Sequence, residues 1–291
     1  MHPAPSVILF TAFSGLGFGL LAFLGLGLPP VGGMTAFVFY LLGYGMAVGG
    51  LLASTFHLGN KKNAIKAFSQ WRSSWLSREG IMAVLTLLVM APYAFEQVFL
   101  DTMRLQAFGI LGAIFALITV FTTSMIYTQL KTVPRWNTPL TPIIFLLFAL
   151  AGGAMLSNSL KAAAAFLIAL GALQIIAWMQ GDAKGATGDS TLETATGLGR
   201  IGKTRLLEPP HSGQNYLLHE MAYDVGRKHA LKLRVIALLC AVVIPVLIIF
   251  AFPVGHMMGL LMIVLHLIGL LAARWLFFAE AAHVVRLYYG K

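Results

Sequence analysis

Eight long apolar segments dominate this chain and leave it few folds to choose from. They run over roughly 6–28, 34–56, 80–100, 106–128, 140–157, 161–180, 233–252 and 257–281. A helix needs about 20 mostly apolar residues to cross ~30 Å of hydrocarbon, and each segment approaches or meets that length. Short polar breaks separate them. Pro29-Pro30 with Gly32-Gly33 ends the first, Asp101 and Arg104 mark the turn after the third, and Pro139 and Pro142 open the fifth. Asn158 and Lys161 divide the fifth from the sixth, and Pro253-Val254-Gly255-His256 turns into the last. Short connections favour antiparallel neighbours. The expected fold is an all-α integral membrane protein, a single transmembrane domain over 1–291 with about eight transmembrane helices in an up-and-down bundle.

Composition agrees. The chain is 58% hydrophobic and only 10% charged, against about 25% charged in soluble domains. Its net charge of +10 does not point to nucleic acid, because the basic residues lie between the apolar segments. Nearly all of them fall in the loops 57–79, 129–139 and 181–232 and the C-terminal tail. The alternate loops hold Arg104 and Lys161, with Glu96 and Asp101. An even number of spans puts both termini on the Lys/Arg-rich side, and the positive-inside rule makes that side cytoplasmic. No basic residue precedes the first apolar run and no cleavage site is evident, so that run is expected to be a retained span.

The loop 181–232 differs from the rest. Its first part is rich in Gly, Thr and Asp and reads as surface loop. Residues 214–232 mix charge with Leu, Tyr and Met, as an amphipathic helix does. That helix suits the inner leaflet surface, a docking surface for a soluble partner, or both. No convincing internal repeat is present, which argues against a secondary transporter.

The stretch STFHLGNKKNAIKAFSQWRSSWLSREG, residues 54–80, carries the densest polar chemistry. His57 closes the second span, preceded by a small-residue face of Gly43, Gly50, Ala53 and Ser54 that lets another helix or a flat ring approach closely. Glu79, beside Arg78, opens the third span. An acidic residue in a first turn is favoured by the helix dipole and Ser77 is a suitable cap, so helix capping is one reading of this segment. A histidine bonded to headgroups or a loop carbonyl is likewise a plain reading of His57. Their joint placement adds a functional one. A hairpin holds His57 and Glu79 at one depth on adjacent helices, where an imidazole and a partly buried carboxylate can pass protons to a buried ligand. A quinone, with two electrons and two protons to exchange, is such a ligand.

The run His57-Leu58-Gly59, then Ala67-Phe68, then Ser74-x-Leu76-Ser77-x-Glu79 resembles the dimethyl sulfoxide reductase anchor family, DmsC. So does Thr132-Val133-Pro134-x-Trp136 with Thr141-Pro142. The resemblance implies eight spans, no catalytic residue in this chain, and a role as membrane anchor and quinone-reactive subunit of a molybdenum/iron–sulfur oxidoreductase. It implies quinone (ubiquinone or menaquinone) as the ligand and implicates His57 and Glu79 in binding it; Ser54, Arg78 and Trp136 are expected at the same site from their own places in the sequence, not from the resemblance. It implies two partners, an iron–sulfur subunit and a molybdopterin catalytic subunit, and a bacterial inner (cytoplasmic) membrane location. The long basic loop 181–232 is more similar to the sulfite dehydrogenase anchors (SoeC type), which implies sulfite oxidation with quinone reduction. A dimethyl sulfoxide or S-oxide reductase anchor oxidising menaquinol is the alternative within the family. A purely structural anchor and a transporter are alternatives outside it.

The one cysteine, Cys240, allows no intrachain disulfide, and an iron–sulfur cluster takes about four thiolates, so clusters belong to a partner. No metal ligand is assigned. A b-type haem needs two histidines on different helices at one depth; His57 and His283 are the candidates, and no haem is expected. Glu280 and His283 are expected on one helical face, with Arg274 deeper, snorkelling or paired with a carboxylate. Arg135 and Trp136 are expected to anchor their loop at the bilayer interface. Lys61, Lys62, Lys66, Arg72 and Arg135 form a candidate platform for the iron–sulfur subunit, against the plainer reading of topology signal and attraction to anionic lipid.

Overall fold

The computed structural model describes residues 3–55, 68–100, 104–208, 210, 213 and 229–289. Its helices are α1 (Pro5–Gly25), α2 (Gly33–Thr55), α3 (Trp75–Phe95, continued by a π-turn over Glu96–Leu100), α4 (Gln106–Thr128), α5 (Leu140–Leu156), α6 (Leu160–Lys184), the short α7 (Leu192–Thr196), α8 (Ala230–Ala251) and α9 (His256–Ala279). No strand occurs among the described residues. Seven of these helices are long and apolar enough to cross a membrane, and the protein is a multi-pass membrane protein. The eighth apolar helix, α5, has 17 residues, about 26 Å at 1.5 Å per residue, the short limit for a span.

Three boundaries differ from the sequence expectation. α3 starts at Trp75, with Ser74 extended in the N-cap position and making no side-chain cap. Glu79 therefore lies in the second helical turn rather than the first, and Ser77 is inside the helix rather than at its cap. α6 continues to Lys184. α9 stops at Ala279, so Glu280 is its C-cap residue and His283 lies beyond the helix; the two do not share a helical face. The expected amphipathic helix over 214–232 lies mostly outside the described residues.

α1 is the hub. It packs against α2, α4, α5 and α9, and 15 of its 21 residues are buried. Lipid tails are as apolar as leucine, so such a helix is held by close packing rather than by hydrophobic exclusion, and small residues permit it. The tightest crossing is with α5. A Cβ on Gly19 would overlap the Ala149 backbone, and one on Gly153 would overlap Gly19 itself. On the other side of α1, Gly43 and Gly50 of α2 face Leu21 and Ser14. The small-residue face of α2 is thus filled by a helix. α3 pairs with α4 in antiparallel fashion, with Thr86 and Thr119 sharing a 3.0 Å hydroxyl contact and Met90 lying against Gly112.

α8 is broken by a π-turn over Leu239–Val243, followed by Pro245. Proline has no N–H to donate to the carbonyl four residues back, which here is Ala241. His266 of α9 fills that role, its Nδ1 lying 2.7 Å from the Ala241 oxygen. A nitrogen bonded to a carbonyl carries the proton, so this midspan histidine is fixed as one tautomer.

The loop joining α4 to α5 is folded inward. Val133 and Trp136 are buried in it. The Trp136 indole donates to the Phe277 carbonyl at 2.8 Å, the Val284 amide donates to the Thr132 carbonyl at 2.9 Å, and Thr141 Oγ1 donates to the Trp136 carbonyl at 2.8 Å. Burial accounts for Val133, and the indole bond for Trp136, in the Thr-Val-Pro-x-Trp run. It forms a plug between the ends of α5 and α9.

Candidate functional site

The plug meets the ends of α6 and α9 and the start of α8 through Arg135, Lys184, Asp182, Arg234 and Glu280, and the candidate site lies at this end of the bundle. Glu79 points from α3 into the protein and is only 3% exposed. A buried carboxylate is costly unless bonded. Thr123 of α4 donates to its Oε1 at 2.5 Å, and the same hydroxyl lies 2.9 Å from the Thr119 carbonyl. The polar run Thr122-Thr123-Ser124 in an otherwise apolar α4 is the sequence signal for this partner, and the sequence reading did not use it. Beyond Thr123, one turn further along α4, lies Tyr127, within electrostatic reach of both Glu79 and Arg274.

Tyr127 belongs to an aromatic cluster with Trp136, Phe145, Phe277 and Phe278. Trp136 stacks on Phe277 with centroids 5.1 Å apart and meets Tyr127 edge-on at 5.3 Å. Trp136 is 2% exposed. The structure therefore encloses the indole among protein side chains rather than exposing it to lipid headgroups, because the plug folds inward and its N–H finds a carbonyl there.

The other predicted residues are placed differently. Ser54 is half-buried and its hydroxyl donates back to the Leu51 carbonyl at 2.6 Å. Arg78 turns away from Glu79; it donates to the carbonyls of Trp71 and Arg72 at 2.9 and 2.7 Å and lies over the Trp75 ring. It fastens the segment before α3. Arg72 is exposed. His57, Lys61, Lys62 and Lys66 lie outside the described residues.

Arg135 is part of an ion-pair network. It reaches Asp182 at the end of α6 (2.8 Å) and Glu280 at the end of α9 (2.9 Å). Arg234 of α8 reaches the same two carboxylates, both at 2.6 Å. Two cations and two anions thus tie together the plug, α6, α8 and α9. Asp182 and Arg234 were not singled out in the sequence, since nothing there shows that residues 52 apart meet. Neutralising Glu280, as Glu280→Gln, leaves the two arginines to share Asp182. Partly buried pairs of this kind lie between surface pairs, worth ~0–1 kcal/mol, and fully buried ones, where removing a partner costs ~3–5 kcal/mol. A loss of about 2 kcal/mol is expected, read as a lower melting temperature of the solubilised protein, with Glu280→Asp recovering part of it.

His283 accepts the Val285 amide through Nδ1 at 3.0 Å, so that nitrogen carries no proton. Burial holds its pKa below the ordinary histidine range. Arg274 neither snorkels nor pairs with a carboxylate among the described residues. Its guanidinium lies over the Phe145 ring, 3.5 Å from the centroid, and 5.2 Å from that of Phe148.

Two comparisons with known proteins cover essentially this whole chain. The family model described as DMSO reductase anchor subunit (DmsC) matches residues 6–290. The chain is also 30% identical to the C subunit of the sulfite dehydrogenase of Allochromatium vinosum, over 99% of each chain. No solved structure matches.

Proposed function

Since this chain belongs to the DMSO reductase anchor subunit (DmsC) family and is a membrane anchor subunit of a molybdoenzyme complex, we propose that it exchanges electrons between a partner iron–sulfur subunit and membrane quinone. In this reading α1–α6, α8 and α9 all cross the membrane, and both termini and the basic end face the cytoplasm of a bacterial inner membrane. The partner complex oxidises sulfite and quinone is reduced. The likeness to a sulfite dehydrogenase subunit over the full length and the long basic loop 181–232 support that choice over S-oxide reduction.

One observation carries the proposal: a carboxylate, Glu79, is buried at this end of the bundle and, among the described residues, is held by one side-chain hydroxyl. A quinone takes up two electrons and two protons on reduction. Glu79 is placed to hold one of those protons inside the bundle, and Thr123 fixes the oxygen that does not need to move it. His57, near neutrality by its chemistry, connects the buried carboxylate with water. Arg78 braces the start of α3 and so fixes the depth of Glu79. Arg72 and the lysines of the α2–α3 loop supply positive charge for the cluster-bearing partner, while Arg135 contributes by holding the plug.

His57→Ala tests this. In assembled complex, quinone-linked turnover is expected to fall by at least about 100-fold, the low end of a proton-transfer contribution. Turnover with an artificial electron acceptor and retention of the catalytic subunits on the membrane should not change. Undiminished quinone-linked turnover in an intact complex removes His57 from the site.

A further inference from the structure

Arg274 has no hydrogen bond or ion pair among the described residues, yet it is 3% exposed. It lies five residues before the end of α9, about 7.5 Å inside the helix by the 1.5 Å rise. A buried cation without a polar partner is among the costliest arrangements in a protein, and inside a membrane such residues mark ligand sites by default. The ring faces of Phe145 and Phe148 offset part of the cost but accept no hydrogen bond in the guanidinium plane.

The guanidinium borders a cavity of about 50 Å³ between α5, α6 and α9, room for roughly four waters. Phe145, Phe148, Trp178 and Phe277 wall it, and Gln174 faces it from α6. Gln174, too, makes no hydrogen bond among the described residues. Arg135 and Glu280 lie at its margin, and Arg234, which binds Glu280, stacks over Trp178. The ion-pair network is therefore the roof of this cavity. Two unpaired donors between aromatic faces suit a flat, neutral ring with carbonyl oxygens at its edge. A small inorganic anion would leave the aromatic walls unused and would pay its full desolvation in an apolar cavity.

We propose that this cavity is the seat of the quinone headgroup, with one ring carbonyl accepting from Arg274 and Gln174 and the ring faces against the aromatic walls. The inference rests on the quinone-reactive reading above and adds a site that reading does not contain. Tyr127 joins the two. It packs on Phe145 and Phe277, both lining the cavity, and lies within electrostatic reach of Glu79 as well as Arg274. The proton-holding carboxylate and the headgroup would then both lie near this tyrosine, with Arg274 as a binding residue and Tyr127 as a positioning residue.

Photolabelling with an azidoquinone, in the assembled complex in membranes, tests the assignment. Label competed by excess unlabelled quinone should map to peptides of α5, α6 and α9. Arg274→Met should reduce it at least 10-fold and raise the quinone KM by a similar factor. Ala177→Phe fills the same cavity from α6 while keeping Arg274, and should do the same in a complex that retains full activity with an artificial acceptor. Competed label confined to the α2–α3 region, with Ala177→Phe labelling like the wild type, overturns this seat and leaves the quinone-reactive reading standing. If Arg274→Met fails to assemble while Ala177→Phe labels normally, Arg274 is a packing group and the seat is likewise overturned. No competed label anywhere on the wild-type chain overturns both readings.

Discussion

Gly153→Leu is expected to leave no folded protein in the membrane. Gly153 and Gly19 bring the backbones of α5 and α1 into direct contact, and even a single Cβ at either position would overlap main-chain atoms. A leucine cannot be absorbed by turning a neighbouring side chain, because what it meets is backbone. The helices must separate, and α1 is the hub on which α2, α4, α5 and α9 all pack. The expected cost exceeds the ~4–5 kcal/mol that marks the most damaging single substitutions. Abundance of the anchor by immunoblot and catalytic subunits released from the membrane are the measurements. Gly45→Leu is the control, since a Cβ on Gly45 meets nothing within 4 Å and a leucine there faces lipid. Equal abundance of Gly153→Leu and Gly45→Leu would show that the α1–α5 contact does not hold the bundle.

Glu79→Gln is expected to lower quinone-linked turnover at least about 100-fold, at the low end of the range for loss of a proton-transferring group. The substitution isolates the proton. Glutamine keeps the shape of the side chain and an oxygen that accepts from Thr123, so the α3–α4 contact survives. What it lacks is a titratable oxygen. Turnover with an artificial acceptor, which bypasses the membrane anchor, should remain near wild type, and so should the melting temperature. Loss of both activities together would mean that Glu79 supports assembly rather than proton delivery. Glu79→Leu separates the cases further. It leaves the Thr123 hydroxyl its bond to the Thr119 carbonyl and removes the carboxylate, so it should match Glu79→Gln in quinone-linked turnover.

The sequence reading and the structure agree most closely on helix positions. The apolar segments place the helices to within a few residues, because Pro, Gly and charged breaks are decisive in a chain this hydrophobic. Where boundaries moved, as at Trp75 and Lys184, the polar residues Arg78, Glu79 and Asp182 continued a helix that had already left the apolar register. Their side chains found partners in the fold: the Trp71 and Arg72 carbonyls for Arg78, Thr123 for Glu79, and two arginines for Asp182. The pattern that named the family residues was legible for the same reason, since polar residues are rare enough here for their spacing to stand out.

By itself, the sequence determined that this is a helical membrane protein and where its helices fall. Only the tertiary structure decided that Gly43 and Gly50 meet α1, that Trp136 turns into the core, that Arg135 is bound to Asp182 and Glu280, and that Arg274 borders a cavity. The physical reason is the solvent. In water, polar residues mark the outer face of a helix and apolar ones the inner. In lipid both faces are apolar, so periodicity says little about which side of a span meets its neighbours, and packing of small side chains makes the choice.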